Sequence, residues 1–436
     1  MFVNESTYYH SVRLDKDKCT GCTNCLKRCP TEAIRVRDGK ATIIGERCID
    51  CGECIRVCPY HAKVAVTDEL SSINRFKYSI ALPAPTLYGQ FKNLPNINRV
   101  LAGLKMMGFS AVYEVAAGAD IVSHAVAEHL KKEDVPKPLI SSACPAILRL
   151  IRVRFPELID HIVPIQSPME VAASLAKLHF AKENGVAVED IGAFFITPCP
   201  AKMTSIRSSL TVEDSSVDGA ISIMDMYGLL NSQVKKPDSD ESLQHATYYG
   251  VGWANSGGET TAVGCDNAMA VDGIWNVIRV LEEIENNKLS DLEFFEGLAC
   301  PGGCVGGPLV FENGFVAKNR IRKLIETLPK ARAEAGEIEK ELAAFDVRST
   351  KEIKPLPVMK LDDNIVVALK KMERMESIAA NLPGLDCGSC GAPSCRALAE
   401  DIVQGNAVEM DCIFKLKEKV RKLALEMVEL SKEENK

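Results

Sequence analysis

Cysteine is the residue type through which this chain announces chemistry. Two runs share one grammar, Cys19-x2-Cys22-x2-Cys25-x3-Cys29-Pro30 and Cys48-x2-Cys51-x2-Cys54-x3-Cys58-Pro59. Thiolates this close together can wrap three corners of an iron–sulfur cube, and the proline ends the turn so that the fourth can reach elsewhere. Zinc is the competing reading, but its sites usually show two separated C-x2-C pairs. Four more cysteines stand in SSACPAI (Cys144), TPCPAK (Cys199) and LACPGGCVGG (Cys300 and Cys304). Taken singly, a cysteine beside a proline is as readily an inert core residue. A last group, Cys387-x2-Cys390-x4-Cys395-x16-Cys412, fits an iron–sulfur or a zinc site.

The elements that must position these thiols follow from the pattern between them. From about 79 to 166, short apolar runs (YSIALPAP, AVYEVAAGADIV, KPLISSACPAI) alternate with helical stretches such as INRVLAGLKMMG and AEHLKKEDV, which implies an α/β arrangement. VAASLAKLHFAKENG then reads as a helix, and IGAFFITPCPAK as a buried strand leaving its sheet at a cysteine. In both halves a cysteine follows an apolar run, and ligands gather at the carboxyl ends of parallel strands. LPKARAEAGEIEKELAAF reads as a helix, VRSTKEIKPLPVMKLDDN as a linker, and RALAEDIVQG as a helix between the third and fourth cysteines of the last group. Ile413, Leu416, Val420, Leu423, Met427 and Leu430 form a seam of alternating three- and four-residue steps on a terminal helix. That seam suits a coiled-coil homodimer or a helix packed on its own domain.

Composition bounds the function. The chain has 436 residues, enough for about three domains. We divide it into residues 1–77 (the first two cysteine runs), 78–350 (the central motifs), 351–364 (linker) and 365–436 (the last cysteine group with its helix). Hydrophobic residues make up 46% and the net charge is −7, which argues against nucleic acid as a partner. No apolar run reaches the length of a membrane span, and MFVNESTYYH lacks the apolar core of an export signal. Seventeen clustered cysteines in such a chain point to metal ligation in the cytoplasm, away from oxygen.

The first segment resembles bacterial two-cluster ferredoxins, in which the fourth cysteine of each run ligates the other cluster. One 4Fe-4S cluster is then expected on Cys19, Cys22, Cys25 and Cys58, and a second on Cys48, Cys51, Cys54 and Cys29. The three central motifs resemble those of FeFe-hydrogenases, roughly T-S-C-C-P, M-P-C-x-x-K and M-A-C-x-x-G-C-x-G-G, over about residues 1 to 330. The implied fold is an FeFe-hydrogenase-like core of two α/β lobes, with an α+β ferredoxin domain before it and a small, mostly helical iron–sulfur domain after it. The resemblance implies an H-cluster: a 4Fe-4S cubane on Cys144, Cys199, Cys300 and Cys304, bridged through Cys304 to a two-iron subcluster with carbonyl, cyanide and dithiolate ligands. It further implies that Lys202, Pro83 and Ala84 meet the cyanides, that Ser142 and Gly303 contact the cofactor, and that the reaction is H2 ⇌ 2 H+ + 2 e−. Substrates and partners are then H2, protons and a ferredoxin-type electron carrier. GLDCGSCGAPSC is similar to small 4Fe-4S domains of redox complexes, making three accessory clusters in all.

The departures from the family pattern are informative. Fast members have a second cysteine that passes protons where this chain has Ala143, and a methyl group carries none. Losing a positioned acid/base typically costs about 10²- to 10⁴-fold in rate. The family's relay glutamates should fall in ADIVSHAVAEHL, where Glu128 is the only glutamate. Glu259 and Glu296 interrupt stretches that bring ligands inward and offer a substitute route, or else face solvent. Thr197 replaces the usual methionine, and Met203 and Ser205 stand where the family has Lys and Glu. Cys265 belongs to no motif and reads as a buried free thiol. Ala143 and the terminal domain together resemble the sensory FeFe-hydrogenases, which signal to a downstream protein. A cluster scaffold without the two-iron subcluster, or a metabolic electron-coupling hydrogenase, are the competing functions.

Overall fold

The computed structural model describes residues 9–236, 242–330, 345–358 and 360–433. The chain forms two compact units. One comprises Met1–Val12, Ile49–Gly52 and Ala65–Leu356, the other Arg13–Cys48, Glu53–Val64 and Pro357–Lys436.

The first unit is built on two parallel sheets. One has four strands in the order Ala111–Val112, Tyr78–Pro83, Ile191–Thr197, Gly219–Ser222. The other has three, in the order Ala268–Asp272, Phe294–Leu298, Leu139–Ile140. IGAFFIT is buried at every position, as the run of apolar and β-branched residues requires of a central parallel strand. Helices Asn98–Met106 and Pro168–Asn184 follow the sequence expectation. AVYEVAAGADIV divides differently. Only Ala111–Val112 is strand, and Val115–Leu130 is one helix buried among apolar neighbours, so its period is masked by apolar residues all round.

The carboxyl ends of the parallel strands supply the site. Pro83 leads to Ala84–Thr86, Ile140 to Ser141–Cys144, Thr197 to Cys199 and Leu298 to Cys300. Helices Pro145–Arg154 and Pro200–Arg207 begin directly after Cys144 and Cys199, each with proline at its first position, where the missing N–H costs nothing. The segment 347–356, read as linker, is tied along this unit: Gln166 and Ser349 exchange backbone bonds with Val347 and Pro164, and Leu356 donates to Arg152. The helix expected over residues 328–345 lies largely outside the described residues.

The second unit holds most of the ferredoxin-like segment together with the terminal cysteine segment. Helices Ile365–Asn381 and Cys395–Val403 enclose a small core with Leu398 and Cys412. Arg35, on the strand Ile34–Arg37, pairs with Asp401 at 2.7 Å, Arg37 pairs with the same carboxylate at 3.0 Å, and Arg47 pairs with Glu400. The Val36 N–H donates to the Gly391 carbonyl at 2.9 Å. The terminal helix Ile413–Glu433 leaves its whole seam exposed, from Leu416 at 46% to Met427 at 70%.

Candidate metal centre and proton groups

A cavity opens among the strand ends of the first unit. Cys144, Cys199, Cys300 and Cys304 all reach its wall, although up to 160 positions separate them in the chain. The remainder is largely apolar, with Met169, Phe195, Trp253 and Leu298 excluding water. Burial pushes the Cys199 thiol up to about 11, with Cys144 adding to the effect and the N–H and ammonium of Lys202 opposing it. Cys304 is pushed up further, by burial and then by Cys199, Cys144 and Cys300. Four thiols in mutual repulsion within a dry cavity ionise together only around a cationic centre.

The loop between Cys300 and Cys304 can follow this path because Gly302 and Gly303 carry no side chains. Gly303 has φ +99°, and a Cβ on it would sit 2.4 Å from the Ser256 nitrogen. A Cβ on Gly307 would sit 2.3 Å from the Pro198 carbonyl oxygen. Asp272 holds the loop by accepting the Gly302 N–H at 2.8 Å.

Lys202 and Ala84 line the cavity, as does Ala143. Pro83 ends its strand behind Ala84, and Ser142 turns away: its hydroxyl donates to the Ile165 carbonyl at 2.7 Å. Thr86, which the sequence did not single out, is fully buried in the cavity wall, and its Oγ1 has no hydrogen-bond partner among the described residues. Glu170 was also missed. It is 2% exposed, accepts from Ser215 and Ser216, and feels the field of Lys202. The partners of Glu170 are distant in the chain and the burial of Thr86 is a tertiary property, so no local pattern marks them.

Glu259 and Glu296 are both inside, 3% and 2% exposed, on the same cavity wall. Glu259 accepts the Ser141 hydroxyl at 2.5 Å, and Ser141 in turn accepts the Ala143 N–H at 3.2 Å. Glu296 accepts from the Gly257 N–H at 2.9 Å and from the N–H and hydroxyl of Thr260, both at 2.8 Å. Burial, then repulsion by Glu296, lifts Glu259 to about 8, with Ser141 and Lys202 opposing. Glu296 is also raised, chiefly by burial. The pair can therefore hold a proton near neutrality. Glu128 is on the surface, paired with Lys131 at 2.5 Å. Cys265 is half-buried, 3.5 Å from Glu293, and does not line the cavity.

In the second unit a smaller cavity of about 330 Å³ is lined by Cys19, Cys22, Cys25 and Cys58. Cys58 thus joins the first run. Of the other expected set, Cys29, Cys48 and Cys54 fall in the second unit and Cys51 in the first. Cys51 packs against the same apolar core as Cys144 and Cys199. Cys390, Cys395 and Cys412 share the terminal core, and the more exposed Cys387 exerts its field on Cys390.

Residues 77–268 and 265–308 match the iron-only hydrogenase large subunit, C-terminal domain, which is more than half of the chain. The chain belongs to the iron-only hydrogenase family. Residues 11–59 match a 4Fe-4S dicluster domain and 382–414 an Fe-S cluster family. The chain is 28% identical over 366 residues to the periplasmic iron hydrogenase large subunit of Nitratidesulfovibrio vulgaris, covering 68% of this chain and 86% of that one. It is 24% identical to iron hydrogenase 1 of Clostridium pasteurianum, spanning 68% of this chain and 64% of that one. A shorter stretch, 21% of this chain, is 34% identical to a cytosolic Fe-S cluster assembly factor of Aspergillus terreus, covering 16% of it. The fold matches an apo FeFe-hydrogenase of Chlamydomonas reinhardtii with a TM-score of 0.51 at 14% identity, covering 66% of this chain and 98% of that one. No helix among the described residues is long and apolar enough to cross a membrane.

The side chains fit the cofactors of this family. In the large cavity the unpartnered Thr86 Oγ1 and the ammonium of Lys202 offer donors to anionic ligands beside the thiols, and Gly303 leaves room for them.

Proposed function

We propose that the chain is an FeFe-hydrogenase of low turnover that serves as a sensor of H2 or redox state. The observation that carries this reading is the cavity uniting Cys144, Cys199, Cys300 and Cys304 with Lys202 and Thr86. When bound, the H-cluster would supply the redox chemistry of H2 ⇌ 2 H+ + 2 e−. The thiolates of Cys144, Cys199, Cys300 and Cys304 would hold this group, and Lys202, Thr86 and Ala84, which line the same cavity, would meet its anionic ligands. Met169, Phe195 and Trp253 keep water out, which strengthens each of these electrostatic contacts.

Ala143 ends the usual proton route, and the Ser141–Glu259 pair stands beside it. In this reading Glu259 takes the proton from the cavity and Glu296 holds it next, making a slower substitute for the thiol. A sensor needs binding and a change of state more than flux. Electrons pass through the ferredoxin-like clusters to a ferredoxin-type carrier or to the terminal cluster, and from there to a signalling partner. The exposed seam of the terminal helix fits a second copy of the chain in a homodimer. We assign the protein to the cytoplasm, where thiols stay reduced.

The test is an infrared spectrum of protein matured with the two-iron cofactor. Cyanide and carbonyl bands that respond to H2 support the hydrogenase. Their absence with full cubane loading would favour a cluster scaffold, for which Lys202 and Thr86 have no use. High turnover with ferredoxin or viologen would instead indicate a metabolic enzyme.

A further inference from the structure

The two halves of the ferredoxin-like segment repeat each other, and the repeat breaks at one buried position. Cys29-Pro30 is followed by Ala33 and Ile34, and Cys58-Pro59 by Ala62 and Lys63. The structure preserves the correspondence: the Ala33 N–H donates to Cys29 Sγ at 3.2 Å, and the Ala62 N–H to Cys58 Sγ at 3.2 Å. Ile34 and Lys63 are each 2% exposed. An ammonium therefore stands where its twin carries a hydrocarbon. The Lys63 Nζ has no hydrogen-bond partner among the described residues, and the side chain lines the cavity of Cys19, Cys22, Cys25 and Cys58. Lysine is almost never fully buried without a partner, because removing its charge from water is costly. An anionic cluster in that cavity is the partner this arrangement calls for.

We propose that Lys63 is the charge partner of the cluster held by Cys19, Cys22, Cys25 and Cys58, and makes it the more readily reduced of the two ferredoxin-like clusters. The inference rests on reading this cavity as a 4Fe-4S site. Reduction adds one electron, and so one negative charge, with no bond made or broken; H2 oxidation supplies that electron, or dithionite in a titration. A fixed cation in a poorly solvated cavity favours the more negative state. The other cluster has the hydrocarbon of Ile34 at the matching place. Val36 also lines the Lys63 cavity, and its N–H binds Gly391, between Cys390 and Cys395. The electron is thus retained on the side of the terminal cysteines, from which it can be passed on.

The experiment is an anaerobic redox titration of the full iron-loaded chain followed by electron paramagnetic resonance, with iron and sulfide counted first. Lys63→Ile, which copies the twin, is expected to move one cluster's reduction equilibrium at least tenfold toward the oxidised form, about 59 mV for one electron. Lys63→Arg keeps the charge and stays near the wild-type potential. If Lys63→Ile fails to retain iron, Lys63→Met keeps the unbranched stem and gives the same comparison. Full cluster content with unmoved potentials would overturn the role of Lys63 while leaving the cluster in place. Unchanged iron and sulfide in Cys19→Ala with Cys25→Ala, which leave no donor atom at either position, would instead overturn the cluster reading, and the proposal with it.

Discussion

The Ser141 hydroxyl donates to Glu259 at 2.5 Å across 118 positions of sequence. The bond joins the loop that carries Cys144 to the helix Gly258–Val263, and it places a carboxyl beside the methyl group of Ala143. With alanine at position 143, the Glu259 carboxyl is an acid/base group that lines the same cavity.

Replacing Glu259 with Gln keeps the hydrogen-bonding shape and removes the base. H2 oxidation by the matured variant is expected to fall about 10²-fold, within the usual range for a positioned acid/base. Glu296→Gln should act in the same direction. Infrared bands unchanged from the wild type would show that the cofactor is intact. Undiminished rates in both variants would remove the pair from the proton route.

Restoring the thiol is the complementary change. Ala143→Cys is expected to raise turnover about 10²-fold. Hydrogen uptake assays of the two matured proteins decide it, and equal rates would show that the thiol does not limit this enzyme.

The raised Glu259 also predicts how stability changes with pH. Its folded value is about 8 against an ordinary 4.5, because burial disfavours the charged form. The fold therefore binds a proton that the unfolded chain releases, so this contribution is complete below about pH 4.5 and lost as pH rises through about 8. Thermal unfolding of the cluster-loaded protein at pH 6 and at pH 9 should show wild type losing more stability than Glu259→Gln. Parallel losses would contradict the shift.

Much of this site was legible in the sequence. Metal spacing is local, so the cysteine runs, Lys202 three residues after Cys199, and the glycines around Cys304 were visible without coordinates. A charge within an apolar strand marked Glu296, but two readings of it remained because burial is a tertiary property. The family resemblance placed a relay glutamate in ADIVSHAVAEHL, where Glu128 is the only glutamate, yet Glu128 faces solvent with Lys131. Glu170 and the Ser141–Glu259 bond join residues far apart in the chain, Thr86 is marked only by its burial, and the strand reading near Val115 failed because an apolar helix carries no clear period.

Within the second unit, Asp401 faces both Arg35 and Arg37, with the Asp401 and Arg35 side chains only 10% and 8% exposed. Asp401→Ala leaves buried guanidinium charge unpaired, at a cost of about 3–5 kcal/mol. Limited proteolysis should release the terminal segment far faster from this variant, while Lys360→Ala, at an exposed pair, behaves as wild type.

The seam on Ile413–Glu433 gives a separate prediction. Light scattering should report a dimer, and Leu416→Glu with Leu423→Glu together should yield a monomer with unchanged iron content. A monomeric wild type would leave the seam for another partner.

Anomalous scattering at the iron edge from anaerobic crystals tests the central assignment most directly. The account predicts a compact group of iron peaks in the large cavity, bonded to the sulfurs of Cys144, Cys199, Cys300 and Cys304. Sulfurs that point apart, or a single zinc atom among them, would contradict it.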